Sequence, residues 1–376
     1  MNYMSNNQSK SMDILCVVGA RPQFVKLASF IRECISHNKG NSLPRVIHTG
    51  QHYDVQMSSA LFQQLQLPPP YLNLEVGSGS HAEMTAKMLV GIEKELTKQR
   101  PDWVIVFGDT NSTLAAALAA SKLGVRLAHI EAGERSYNRT MPEEINRVVT
   151  DHLSDLLFVS SHNAVINLNK EGLEDKAIIT GDIMVDTMVS WQYNLPSYIL
   201  PKLKVKEGEY YLVTIHRPSN VDDSASLGSL YGELKDIKTP IVFPCHPRTQ
   251  KRMEENGLWE EVNDSWIVTP PIPYLEFHAL LQKSKGVITD SGGIQKEAYF
   301  YKVPCFTLRS ETEWIETVDA GWNTVVRPGV DSLRAAIDTW IEPKFHKPLY
   351  GDGRAAAKMV KALWSFEVNK PFDRTQ

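Results

Sequence analysis

Three carboxylates, Asp109, Glu131 and Glu143, stand where an apolar run or a turn ends and a helix-like stretch opens. Two carboxylates in unlike surroundings can act as acid and base in one reaction. Asp109 follows Trp103–Phe107 within Gly108-Asp109-Thr110. It is a general base, a ligand for a sugar hydroxyl, or the N-cap of the helix through Leu114–Leu123, and local sequence favours the cap. Glu131 directly follows the run Arg126–Ile130. Glu143 and Glu144 lie in a first helical turn after Pro142, where the helix dipole alone accounts for one of them. All three candidates fall on one rim of one domain. Carboxylates crowded into one cleft repel each other, which favours a proton on at least one.

A second set suits anions. Gly19-Ala20-Arg21-Pro22-Gln23, with Lys26 one turn later, offers helix amides and two cations. It lacks G-x-G-x-x-G, so it is not the dinucleotide fingerprint. A plain strand–helix turn with solvated basic residues explains it equally well. Two later strand ends carry a histidine near an arginine, Ile215-His216-Arg217 and Cys245-His246-Pro247-Arg248. The sharpest element is Asp290-Ser291-Gly292-Gly293, opening a helix after Gly286–Thr289. Its two glycines let backbone amides approach a phosphate, and the Ser291 hydroxyl adds a donor. Glu297, about one turn into that helix, would repel phosphate but can bind a ribose diol.

The elements that position these residues read as strands alternating with helices. Ile14–Val18, Arg45–Thr49, Trp103–Phe107, Arg126–Ile130, Leu156–Val159 and Ala177–Thr180 are the strands of a first domain. His81–Gln99 and Pro142–His152 are helices between them, the first opened by a Ser80/Glu83 capping box. Tyr210–Thr214, Ile241–Phe243, Trp266–Thr269, Gly286–Thr289, Cys305–Leu308 and Thr324–Val326 belong to a second domain. Such alternation means βαβ units, parallel sheets and an α/β fold. The expected division is a disordered tail at 1–11, domains at 12–195 and 196–350, and a terminal helical segment at 351–376 that can pack back on the first domain.

The chain has 376 residues and a formal net charge of -4, giving no bulk signal for nucleic acid or membrane. Its four cysteines include no C-x-x-C pair, so no zinc ribbon or redox motif is expected, and a reducing, cytoplasmic setting fits. No metal or nicotinamide site is found. The polar first eleven residues lack the apolar core of a secretory signal.

Taken together, Gly19–Lys26, Thr49-Gly50-Gln51-His52, Gly108-Asp109-Thr110, Glu131-Ala132-Gly133, Pro142–Arg147, His216-Arg217, Asp290–Glu297 and Thr312-Glu313 resemble the non-hydrolysing UDP-N-acetylglucosamine 2-epimerase family. The resemblance implies a GT-B type fold, two Rossmann-like parallel-sheet domains with a cleft between them, and a homodimer without cofactor. It implies that Asp109, Glu131 and Glu143 are catalytic, with His216 beside them. Arg21, His216, Ser291 and Gly293 match its UDP-phosphate contacts, with Lys26 and Gly292 in the same site. Glu297 matches its ribose contact. The reaction it implies inverts C2 of a UDP-N-acetylhexosamine by eliminating UDP and adding it back.

Three positions depart from the commonest family pattern: Gln23 for Glu, Glu134 for an apolar residue, and Trp314 for an Arg. Gln23 and Trp314 look more like the branch acting on UDP-2,3-diacetamido-2,3-dideoxyglucuronic acid. There the Trp314 face would suit an acetamido methyl, and Arg309 or Arg135 would meet the uronate carboxylate. A GT-B glycosyltransferase and a nucleotide-sugar binding protein without activity are the rival readings.

Overall fold

The computed structural model describes residues 12–37, 43–50 and 61–369. Gln51, His52 and the expected tail at 1–11 lie outside these residues. The chain forms two compact units, one running to Val189 and resuming at Tyr350, the other Ser190–Leu349.

The first unit holds a seven-stranded sheet: β1 Ile14–Val18, β2 Arg45–His48, β3 Leu72–Asn73, β4 Trp103–Phe107, β5 Arg126–Ala132, β6 Leu156–Val159 and β7 Ala177–Ile179. Their order is β3-β2-β1-β4-β5-β6-β7, and every pair is parallel. The expected strands are present to within two residues; the two-residue β3 is an addition too short to show a pattern. β1 and β4 are buried along their whole length, which is why they read as unbroken apolar runs. The chain reverses its direction of travel across the sheet between β1 and β4, so a crevice opens beyond their carboxyl ends.

The second unit repeats the plan with β8 Tyr211–Thr214, β9 Ile241–Pro244, β10 Ile267–Thr269, β11 Gly286–Thr289, β12 Cys305–Thr307 and β13 Asn323–Val325. The order is β10-β9-β8-β11-β12-β13, again all parallel. Its reversal falls between β8 and β11. Val213, Ile288 and Phe306, from three adjacent strands, sit in one core cluster with helix residues Leu227 and Leu230. Each unit is therefore a Rossmann-like parallel-sheet layer, and the α/β fold class holds. Among the described residues no helix is long and apolar enough to cross a membrane.

The terminal helix Ala355–Asn369 belongs to the first unit and packs on the helix Arg21–His37. Trp364 lies against His37 with ring centroids 4.9 Å apart, and Phe366 meets Trp103 at 5.2 Å. The Asp186 carboxylate accepts from the amides of Ala355 and Ala356 at 3.0 and 2.8 Å, taking up two of the helix's unpaired donors. Burial pushes this carboxyl up to about 6, although the two amides pull it down. Folding thus raises its pKa, so its charge costs stability above that pH and the cost is relieved as pH falls from about 6 toward 3.8. Asp186→Ala should destabilise the first unit by about 0.5–2 kcal/mol, read as a lower urea midpoint. An unchanged midpoint would mean water serves the two amides as well as the carboxylate does.

Candidate active site

In the first unit three backbone features place the carboxylates. β4 is followed by Gly108, whose φ of 62° a side chain would strain. The helix that follows, Asn111–Lys122, is capped by Thr110, which accepts from Thr113 N. Asp109 is therefore not the cap that local sequence favoured; the next residue does that work and leaves the Asp109 carboxylate available. Glu131 is the extra residue of a bulge in β5: Ile130 pairs with Phe158 and Ala132 with Val159, so Glu131 is skipped. Its φ of 69° lies in the left-handed region, a conformation that costs about 1–3 kcal/mol and is found at functional sites. The bulge turns a side chain that regular pleating would send elsewhere.

The helix Pro142–Leu153 supplies the rest. Asn146, Arg147, Thr150 and Asp151 are all buried and share one helical face. Asn146 Nδ2 donates to Asp109 O at 2.9 Å. The Arg147 guanidinium donates to the Asp109 carboxylate and to Glu131 O, and lies 3.5 Å from Glu131 Oε1. Burial alone would lower the Arg147 pKa, but the Asp109 and Glu131 carboxylates outweigh it and hold it above its ordinary value. Lys26 Nζ stands 2.7 Å from Glu131 Oε2, with only 7% of its side chain exposed. The repulsion expected among the carboxylates is thus met by two interleaved cations.

Glu143 and Glu144 divide the two roles that sequence left open. Glu144 is buried and accepts from Ser136 N at 2.8 Å, Ser136 Oγ at 2.9 Å and Tyr137 N at 3.2 Å, so it fastens the loop ahead of its helix. Glu143 is exposed at the same helix start. Arg21 is half-buried in the first turn of its helix. Gln23 explains why an amide stands there. Its oxygen accepts from Gly19 N at 2.7 Å and Ala20 N at 3.0 Å, while its nitrogen donates to Phe107 O at 2.7 Å. An ionised Glu could not make the last bond. Glu134 accepts from the Ser160 hydroxyl. Arg135 is buried on Asp151, Glu171 and Glu134 O, which removes it as the cation for a uronate carboxylate.

In the second unit, the ends of β8 and β11 are joined by Asp290. This fully buried carboxylate accepts from His216 N at 3.0 Å, Arg217 N at 2.9 Å and Asn220 Nδ2 at 3.1 Å. His216 Nδ1 lies 3.1 Å from its other oxygen, and the His216 side chain is 49% exposed. Burial would raise the Asp290 carboxyl, but the His216 bond and the amides hold it below its ordinary value. The helix Gly292–Tyr301 begins at Ser291, whose side chain makes no capping bond. Gly293 is exposed, and a Cβ there would meet nothing within 4 Å. A Cβ at Gly292 would fall 2.5 Å from Glu313 Oε1, so the backbone at this point is wrapped by its neighbours. Glu297 is buried, 3.5 Å from His278 Nε2. Trp314 is only 5% exposed, and Lys296 Nζ sits 3.9 Å from its ring centroid. The apolar face expected to receive an acetamido methyl is covered by that ammonium. Among the described residues no cluster of His, Cys, Asp and Glu could hold a metal.

The family model described as UDP-N-acetylglucosamine 2-epimerase matches residues 36–364. The chain belongs to the UDP-N-acetylglucosamine 2-epimerase family. A Methanococcus maripaludis relative named as a homolog of that epimerase is 43% identical over 94% of this chain and 99% of its own length. A Pseudomonas aeruginosa relative, the UDP-2,3-diacetamido-2,3-dideoxy-D-glucuronate 2-epimerase, is also 43% identical, over 94% of this chain and 99% of that one. The Methanocaldococcus jannaschii UDP-GlcNAc 2-epimerase, solved with UDP-GlcNAc and UDP, is 40% identical with a TM-score of 0.85, covering 94% of this chain and 99% of that one. As members of this epimerase family are isomerases, the chain is an isomerase of GT-B type fold.

Sequence reasoning missed four members of this epimerase's framework: Asn146, His129, Asp151 and Asp290 in its bonding role. The signal for the helix residues was present, since 143, 146, 147, 150 and 151 repeat at helical spacing as polar residues. The exposed and buried glutamates should part in stability. Glu144→Gln leaves amide hydrogens facing amide hydrogens and should cost about 1–3 kcal/mol in denaturant unfolding. Glu143→Gln should stay within about 0.5 kcal/mol of the parent. Equal losses in both would mean Glu143 is also a structural bond.

Proposed function

We propose that this protein is a non-hydrolysing UDP-sugar 2-epimerase that interconverts UDP-GlcNAc and UDP-ManNAc by elimination and re-addition of UDP. The observation that carries this reading is the carboxylate set, with Asp109 and Glu131 locked on Arg147 and Lys26 and Glu143 exposed at the same helix. Carbon 2 of such a sugar has no neighbouring carbonyl, so direct deprotonation is unfavourable. Breaking the C1–O bond first sends its electron pair to the β-phosphate and leaves positive charge at C1. A carboxylate then takes the C2 proton, giving UDP and a C1=C2 alkene. Delivery of a proton to the opposite face of C2, with attack of the UDP oxygen on C1, completes the inversion.

Asp109 and Glu131, held beside fixed cations, suit the accepting role. Glu143 is exposed, with no such cation among the described residues, and can exchange its proton with water between turnovers. In the second unit Ser291, the Gly292 and Gly293 amides and His216 meet the charge growing on the leaving phosphates; the family resemblance adds Arg21. Glu297 binds the ribose. The chemistry closes without nicotinamide or metal. The family resemblance further supports a cytoplasmic homodimer.

Turnover in D₂O tests the mechanism: product should carry deuterium at C2, read by NMR. Glu143→Gln should lower the rate by ~10²-fold or more while UDP binding is kept. Protium retained at C2 through full turnover would sink the elimination route.

A second reading keeps the reaction but changes the sugar to the 2,3-diacetamido uronate of the Pseudomonas relative. In its favour stands the 43% identity to that relative; Arg309, like Arg135, is buried, and its guanidinium 2.8 Å from Glu313 would have to exchange that partner for the uronate carboxylate. Competition between the two UDP-sugars decides it. If UDP-GlcNAc is the substrate, its kcat/KM should exceed that of the uronate. A uronate preference of ~10²-fold or more would transfer the assignment to the second sugar.

A further inference from the structure

Beneath the carboxylates runs a buried charged chain to which the reaction above gives no task. The His129 side chain, inside β5, is 0% exposed. Its Nδ1 lies 2.7 Å from Asp151 Oδ1 and its Nε2 2.7 Å from the carbonyl oxygen of Gly108. A carbonyl oxygen and an ionised carboxylate only accept, so each ring nitrogen must donate, which takes a proton on both. Asp151 has no proton to offer in return: it also accepts from Gly133 N at 3.1 Å and from Arg135 at 2.7 Å. The neighbouring buried cation, Arg147, is acted on by Asp109, Glu131, Glu134 and this same Asp151. The fold alone gives little reason for such a pair. An apolar side chain would fill an apolar strand at lower desolvation cost, and buried ion pairs are poor stabilisers.

We propose that His129, as an imidazolium, is a positioning residue for the reaction: through Gly108 O it fixes the peptide carrying Asp109, and through Asp151 it ties that peptide to the turn after Glu131. The Gly108–Asp109 peptide is planar, so holding its oxygen sets the direction of the Asp109 amide. Gly108 tolerates many backbone conformations, and without a donor on its oxygen this peptide can flip. Its other side is already pinned, Gly108 N donating to Ile130 O at 2.9 Å. The Gly133 amide, held by Asp151, closes the bulge that turns Glu131. Asp109 and Glu131 are thus referenced to one buried pair. Misplacing a reacting group by about 1 Å can cost ~10²-fold in rate.

Two isosteric replacements separate the two bonds. The amide nitrogen of Gln takes the place of Nε2 and keeps the bond to Gly108 O. That of Asn takes the place of Nδ1 and keeps only the bond to Asp151. His129→Asn should lower kcat by ~10²-fold with KM and UDP affinity within about threefold. His129→Gln should retain at least ~10-fold more of kcat than His129→Asn. Equal kcat in the two variants, at any level, overturns the proposal. The kinetic readout rests on the proposed 2-epimerase activity; an inactive parent enzyme would count against that activity and leave His129 to a second measurement. In the ¹⁵N-histidine-labelled parent, one buried ring should show both nitrogens protonated at neutral pH. A neutral single tautomer for that ring overturns the proposal even where neither variant folds.

Discussion

A guanidinium that is 8% exposed, standing between Asp109 and Glu131, sets the terms for the first unit. Taking Arg147 out of water is costly, and the cost is met only if acceptors surround it. The chain supplies them from two strand ends: the Asp109 carboxylate after β4, and the carbonyl and carboxylate of Glu131 in the β5 bulge. The helix must then enter at one angle, with a buried polar face. Pro142 at its first turn and Glu144 bonded back to Ser136 and Tyr137 fix that entry. Asn146 on Asp109 O adds the second point of attachment. The strained backbone of Glu131 is tolerable because every neighbour of this guanidinium holds it in place.

The two units solve one problem in the same way. A parallel sheet leaves a crevice where its strand order reverses, and the loops on either side must be kept at fixed spacing. In the first unit Gln23 spans that reversal, bonding the Gly19 and Ala20 amides on one side and Phe107 O on the other. In the second unit Asp290 does so, from the end of β11 to the His216 and Arg217 amides after β8. The choice of residue follows from what each must join. Gln23 faces donors and an acceptor and is an amide; Asp290 faces donors alone and is a carboxylate.

The alternation of apolar runs and helices made both sheets legible, because fully buried parallel strands leave unbroken Val, Ile and Leu stretches. Two-residue β3 left no such trace. Asp109 illustrates a limit: cap residues at adjacent positions, Asp109 and Thr110, are interchangeable by type, and only the turn of Gly108 decides which one caps. Glu131 illustrates another. Its register against β6 depends on pairs 27 and 28 residues apart in sequence, Ala132 with Val159 and Ile130 with Phe158, so a bulge cannot be read from β5 itself. His129 is one polar residue within an apolar strand, and nothing local reveals that acceptors lie at both ring nitrogens. The resemblance to a family named the carboxylates that physics alone left ambiguous with caps and first-turn acids.

Charge explains why Lys26 and Arg147 are committed within the first unit. Lys26 and Arg147 face Glu131 and Asp109; behind them His129 and Arg135 face Asp151 and Glu171, and buried Glu134 adds a further carboxylate acting on Arg147. A dianionic diphosphate drawing Lys26 away would leave Glu131 buried with one cation fewer. The strand ends of the second unit are built differently. Its helix Gly292–Tyr301 offers amides, an uncapped Ser291 and open space at Gly293, and its histidine is already fixed by Asp290. A reaction that separates a proton from a diphosphate needs the two charges handled by sets that do not compete, which is the demand the proposed 2-epimerase reaction would make.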